Sequence, residues 1–165
     1  PGRASATSRW RAARGVHPVK AGRLVALLGA ACLAAPVLAV DFRSVEAPAA
    51  ILYDAPSTKG KALYIVRQYT PLEVVVRLEG MIKVRDAEGT LAWLEAKQLS
   101  ERRMLVVTAA RAEIRQADKA EAAVLAELDK WVAVEFIEPA APGWAKVRHR
   151  DGVTGFVRAT QVWGL

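Results

Sequence analysis

Two stretches of the chain alternate apolar and polar side chains with a period of two. In Leu72–Glu79 (LEVVVRLE), Leu72, Val74, Val76 and Leu78 alternate with Glu73, Val75 and Arg77. In Trp131–Glu138 (WVAVEFIE), Val132, Val134 and Phe136 alternate with Trp131, Ala133 and Glu135. Neighbouring side chains of a strand point to opposite faces, so this pattern, with its β-branched enrichment, predicts two half-buried strands. A second pattern follows each. Lys83–Ser100 reads KVRDAEGTLAWLEAKQLS and Lys146–Trp163 reads KVRHRDGVTGFVRATQVW; they align without a gap and are identical at six of eighteen positions. Each begins with a KVR strand and turns at AEG (Ala87–Gly89) or RDG (Arg150–Gly152), where the glycine suits the positive φ of a tight hairpin. A second strand follows, Thr90–Glu95 or Val153–Arg158. AKQL or ATQV then predicts one helical turn leading into a last short strand.

The repeat sets the architecture. Gly80-Met81-Ile82 aligns with Gly143-Trp144-Ala145, and the link into this strand is abrupt at Gly80 but longer in PAAPG (Pro139–Gly143). The front of each unit, Ala49–Ser57 and Ala110–Asp118, offers a short strand and a loop. Lys119–Lys130 (KAEAAVLAELDK) is rich in helix formers, whereas its counterpart Lys59–Thr70 favours strand; the repeat makes strands the expectation for both. Each unit then holds five or six short strands, and only a small closed barrel or sandwich buries a core in so few residues. The expected fold is all-β, with two small barrels in tandem over residues 42–100 and 104–165. The link Ser100–Arg103 is so short that the two should touch and move as one semi-rigid body.

Composition divides the chain of 165 residues in two. Residues 1–39 hold six of the 24 Lys and Arg and no Asp or Glu; the remaining 18 basic residues face all 17 acidic ones. The formal charge of +7 thus belongs almost entirely to the first segment, and a nucleic-acid partner loses its main support. That segment has a basic stretch, Arg9–Arg23, then an apolar run, Leu24–Ala39, ending in the small-residue pattern Val37-Leu38-Ala39. It predicts a secretory signal peptide cut after Ala39, hence a periplasmic or secreted protein. The run is shorter than the roughly 20 residues of a membrane span, so a retained anchor is the lesser reading. A lipoprotein signal at Cys32 is weaker still: Gly29 stands three before the cysteine, where Leu is usual, and the residues after it stay apolar. The first Met is Met81, and Val16 is a candidate start.

Beyond Ala39 the chain has no cysteine and one histidine, His149. Thiol, metal and Ser–His chemistry therefore have almost no material. His149 lies beside a hairpin turn and reads as a solvated surface residue. Asp86, Glu88 and Asp151 fall in turns, where such residues serve the backbone. No catalysis and no cofactor are expected.

The order of these elements resembles the bacterial SH3-like (SH3b) family. Gly143–Val162 (GWAKVRHRDGVTGFVRATQV) matches its pattern best. Gly80–Leu99 (GMIKVRDAEGTLAWLEAKQL) matches with Met81 in place of tryptophan, and ILYDAP (Ile51–Pro56) fits the family's front. The resemblance implies an extracytoplasmic binding module, with cell-wall peptidoglycan or an envelope protein as partner. It does not imply the proline-rich groove of eukaryotic SH3 domains. Leu52, Tyr53 and Trp144 have counterparts there, but Ala55 replaces the second motif tyrosine. The groove proline and tyrosine correspond to Arg158 and Gln161, or to Glu95 and Gln98 in the first copy.

The candidate ligand-binding residues are Trp144, Trp131, Phe156, Arg158, Tyr53 and Trp93. Trp93 and Phe156 occupy equivalent strand positions, where core or barrel-end packing competes with a binding role. Trp144 alternates away from Val147 and should face outward, either packed under its own loop or free as a platform. Trp131 should lie on the strand face opposite Val132 and Val134. Lys83, Arg85, Lys146 and Arg148 alternate with buried Val84 and Val147, and with Arg150 and Arg158 they could give the second copy a basic face. Met81 lacks the flat ring and N–H donor of Trp144, so the second copy is expected to hold the more capable surface.

Overall fold

A computed structural model describes residues 40–165. The expected signal segment, with Cys32 and the cut after Ala39, lies outside the described residues. Both repeats are all-β and equivalent strand for strand. The first comprises β1 (Phe42–Val45), β2 (Ala49–Tyr53), β3 (Ala62–Arg67), β4 (Pro71–Arg77), β5 (Met81–Arg85), β6 (Leu91–Glu95) and β7 (Leu99–Ser100). The second comprises β8 (Met104–Val107), β9 (Arg111–Arg115), β10 (Val124–Asp129), β11 (Ala133–Pro139), β12 (Trp144–Arg148), β13 (Thr154–Arg158) and β14 (Val162–Trp163). A single 3-10 turn, Ala96–Gln98 or Ala159–Gln161, precedes each last strand. The sheets are antiparallel, in the order β3-β2-β6-β5-β4-β1-β7 and β10-β9-β13-β12-β11-β8-β14. Each wraps around its own core. Leu52, Leu72, Val84 and Leu94 lie at the centre of the first, and Leu105, Ile114, Val134, Val147 and Val157 at the centre of the second.

The hairpins follow the expected turn chemistry, with Gly89 at φ 89° and Gly152 at φ 92°. Val124–Asp129 is a strand despite its helix formers, because Leu128 is needed in the core and β10 pairs with β9 across five positions. Three expectations need correction. Each barrel has seven strands, because β1 and β8 were not legible. Met104–Val107 is buried at every position and so shows no alternation. The alternation of Leu72–Glu79 also breaks. A bulge between Val74 and Val76 shifts the register with β5, which leaves Val76 and Leu78 exposed; a bulge between Phe136 and Glu138 repeats this in β11. Finally, Trp131 does not belong to β11. Leu72 pairs with Arg43, and Val134 pairs with Leu105. The counterpart of Trp131 is therefore Tyr69, in the turn before the strand.

The barrels meet along a seam built on β1, β8 and the link between them. Phe42 packs edge-on against Trp163, with ring centroids 4.9 Å apart and planes at 85°. The Arg103 guanidinium lies between the rings of Phe42 and Phe136, at 5.7 and 5.3 Å. Its Nη2 donates to the Gly164 carbonyl at 2.9 Å. Ser44, fully buried, donates from Oγ to the Arg102 carbonyl at 2.8 Å. Arg43 reaches Glu101 at 2.7 Å. Both faces of β1 and β8 are thereby occupied, one by the core of its own barrel and one by the seam.

Candidate functional site

The turn between β3 and β4, and its equivalent between β10 and β11, closes each barrel with one device. The Tyr69 N–H donates to the Val45 carbonyl at 2.8 Å, while Val45 N–H donates to Thr70. Trp131 N–H donates to Val107 at 2.9 Å, while Val107 N–H donates to Val132. Bonding both sides of one residue forces the turn residue into left-handed backbone, at φ 67° for Tyr69 and 73° for Trp131. A large aromatic residue is costly there, by about 1–3 kcal/mol; Gly or Asn would meet the same backbone need cheaply. The fold thus explains the conformation but not the choice of side chain.

Both aromatic residues line one cleft between the barrels, with a volume of about 790 Å³. Its walls carry four arginines (Arg67, Arg102, Arg148 and Arg150) against two carboxylates, Glu135 and Asp151. Glu135 accepts from Arg102 Nε at 3.2 Å and lies 3.7 Å from Arg148. This hydrogen bond to Glu135 pushes the Arg102 guanidinium further up and keeps it charged. Arg102 also lies 5.1 Å from the centroid of the Tyr69 ring. Asp151 lies 3.3 Å from His149 Nδ1 and 3.7 Å from Arg150. Arg67 has no carboxylate partner among the described residues. Trp131 remains 46% exposed, with Lys130 Nζ 4.6 Å from its ring centroid. The cleft therefore combines an excess of guanidinium charge with an open indole, a pairing suited to anionic ligands that also carry an apolar part.

The six candidate residues divide among three places. Trp131 is in the cleft, on a turn and not on the strand face expected. Trp144 points outward and is half-buried, with the Arg158 guanidinium 4.9 Å from its ring centroid across the β12–β13 pair. Phe156, on the same outer face, stands opposite Lys146 and Arg115. In the first barrel, Trp93 stands opposite Tyr53 and beside Lys83, whose Nζ is 5.8 Å from its ring centroid. Trp93 and Phe156 thus stay half-buried on the outer face, outside both core clusters. The expected single basic face on the second copy is divided too. Arg148 and Arg150 turn to the cleft, Arg158 covers Trp144, and Lys146 is held by Glu138 at 2.8 Å. His149 is not solvated; its side chain is 17% exposed and lines the cleft. Tyr69, Arg67, Arg102 and Glu135 gave no sequence signal, because only the docking of two barrels brings them together.

Among the described residues, no group of three or more His, Cys, Asp and Glu side chains is placed to hold a metal ion. Two small antiparallel barrels, joined by a seam and carrying aromatic and cationic surface, define a tandem binding module. The profile described as bacterial SH3 domain matches residues 46–101 and again residues 108–164, and the chain belongs to that family. The family's domains are non-catalytic modules that bind cell-wall material. Among curated proteins, no sequence relative is found. Solved structures with a likeness include NlpC2 and NlpC1 from Trichomonas vaginalis. Their identities are 12% and 11%, and their TM-scores 0.36 and 0.37; the likeness covers 75% and 78% of this chain and 48% and 47% of theirs. An NlpC/P60 family protein from Bacillus cereus is 14% identical, with a TM-score of 0.35 over 74% of this chain and 55% of its own. The chain spans about half the length of these proteins, and likenesses this distant say nothing of its chemistry.

Proposed function

We propose that the chain is an exported, non-catalytic binding module of the cell envelope and that it contacts peptidoglycan. The observation that carries this reading is the cleft, where an exposed indole and surplus guanidinium groups line one concave surface. Peptidoglycan offers both matching chemistries, apolar sugar and alanine faces beside free carboxylates. The basic and apolar character of residues 1–39 supports export to where that polymer lies. Purified protein mixed with washed sacculi should sediment with them; a protein left wholly in the supernatant would sink the proposal. N-terminal sequencing of the exported form should begin at Val40.

A second reading, a protein–protein module for an envelope partner, draws on the free edge of the first sheet. Edge strand β3 exposes Leu63 and Ile65, the latter to 66%, with Ile51 opposite Ile65 on the neighbouring strand. Unpaired strand edges with apolar side chains recruit other chains. Crosslinking in the native envelope, followed by recovery of a discrete protein adduct through β3, would favour this reading.

A further inference from the structure

We infer that the inter-barrel cleft is a composite site for the carboxylate-bearing stem peptides of the wall polymer, to which neither barrel suffices alone. This rests on the envelope reading and assigns the contact to one place and one chemical class. The charge balance comes first. The carboxylates Glu135 and Asp151 are each already engaged by two cationic or ionisable neighbours, while Arg67 has no such partner among the described residues. Arg150 is 87% exposed at its side chain and meets only the adjacent Asp151, at 3.7 Å. Arg67 is thus free, and Arg150 only loosely held, so that both can take carboxylates in the forked geometry that matches them. They come from different barrels, Arg67 from the end of β3 and Arg150 from the hairpin after β12.

The aromatic residues point the same way. Tyr69 and Trp131 occupy equivalent turns, each in a backbone conformation that disfavours a bulky side chain. Tyr69 has a structural use, as a platform for Arg102. Trp131 serves as platform for no arginine; Lys130 Nζ lies 4.6 Å from its ring centroid, and nearly half its surface is open. An indole held at conformational cost and left open toward a cationic cleft is placed to cover the apolar part of an anionic chain. The outer-face pair of Trp144 and Arg158 is different: there the cation is spent on its own aromatic neighbour.

The test uses the full chain with two forms of one polymer, each coupled to a solid support: sacculus fragments, and the glycan strands that an amidase has freed of their stem peptides. Retention should fall about tenfold or more on the stripped glycan. The double variant Arg67→Ala/Arg150→Ala should lose about tenfold in affinity for the sacculus fragments, and Trp144→Ala should bind like the parent. Trp131→Gly separates binding from folding. Glycine relieves the positive φ, so its melting temperature should match or exceed the parent's while binding falls. Equal retention on sacculus fragments and stripped glycan would overturn the inference and leave the envelope reading standing, as would parent-like binding by both cleft variants. No retention on either polymer would overturn both.

Discussion

The two barrels share a core and differ around it. Leu52 and Ile114, Val45 and Val107, Val84 and Val147, and Leu94 and Val157 are interchangeable apolar residues at matching buried positions. Beyond them the copies diverge in kind. In the first, Tyr64 donates from its hydroxyl to Asp86 Oδ2 at 2.6 Å, and Asp86 Oδ1 also accepts from the Glu88 and Thr90 N–H groups. In the second, the equivalents are Ala126 and His149, and the histidine faces the cleft. Edge strand β3 exposes Ile65, where β10 has Glu127 paired with Arg111 at 2.9 Å. Ala92 of β6 becomes Gly155 of β13, whose backbone is so close to β9 that a Cβ would lie 2.4 Å from the Arg115 carbonyl oxygen. The comparison separates what folding requires twice from what was free to change, and most of the differences lie on the cleft or on an edge.

The largest effects should come from the shared core. Leu52→Ala and Ile114→Ala each remove a fully buried side chain and should cost about 2–5 kcal/mol. Because the seam joins the barrels, calorimetry should show one transition lowered by either change; two separate transitions would show the barrels to be thermodynamically independent. Next comes the close approach at Gly155. Gly155→Ala should cost about 1–3 kcal/mol by forcing β13 from β9, whereas Ala92→Gly, its mirror in the first barrel, should cost about 1 kcal/mol. Equal costs in denaturant titration would mean that the strands have the same spacing in both.

The polar pair gives a smaller effect with a distinct signature. Tyr64→Phe should cost about 1 kcal/mol near neutral pH. Burial first, and the bond to Asp86 second, push the Tyr64 hydroxyl well above its ordinary value of 10.0. The folded state therefore holds this proton where the unfolded chain releases it. The stability it confers is complete below pH 10 and is lost as pH rises above that value. Urea melts across that window should show a decline in the parent that Tyr64→Phe reduces, and a decline of equal size in both would remove Tyr64 as its source. Smallest is the edge: Ile65→Glu imports the residue of the second barrel and should shift stability by under about 0.5 kcal/mol. It should lower self-association measured by light scattering at high concentration, if the apolar edge is what drives it.

Much of the architecture was legible because the chain states it twice. The glycines of the hairpins, the 3-10 turns and the strand at Val124–Asp129 all follow from aligning one copy with the other. What escaped has physical causes. Met104–Val107 and Phe42–Val45 are covered on two faces, so they lack the alternation that marks a half-buried strand. Trp131 slid into the wrong element because Val132, Val134 and Phe136 carry the alternation back through the turn that precedes the strand. Trp144 was placed outside the core by parity of position, whereas core packing was a competing expectation for Trp93 and Phe156, which lie outside both clusters. Trp131, Arg148 and Arg150 were singled out one by one, but the cleft as a site was not legible, since its two walls come from different barrels and meet only when the barrels dock.

The link from Ser100 to Met104 has one more consequence. Each of its two arginines bridges the barrels, Arg102 between Tyr69 and Glu135 and Arg103 between Phe42 and Phe136, and Phe42, Met104 and Trp163 are covered only while both barrels are present. Excising either barrel would bare an apolar strand face on the one that remains, a liability in a domain this small. The pair is therefore the smallest piece that can be transplanted into another protein, and a fusion cut between residues 100 and 104 should yield two insoluble halves rather than two working modules.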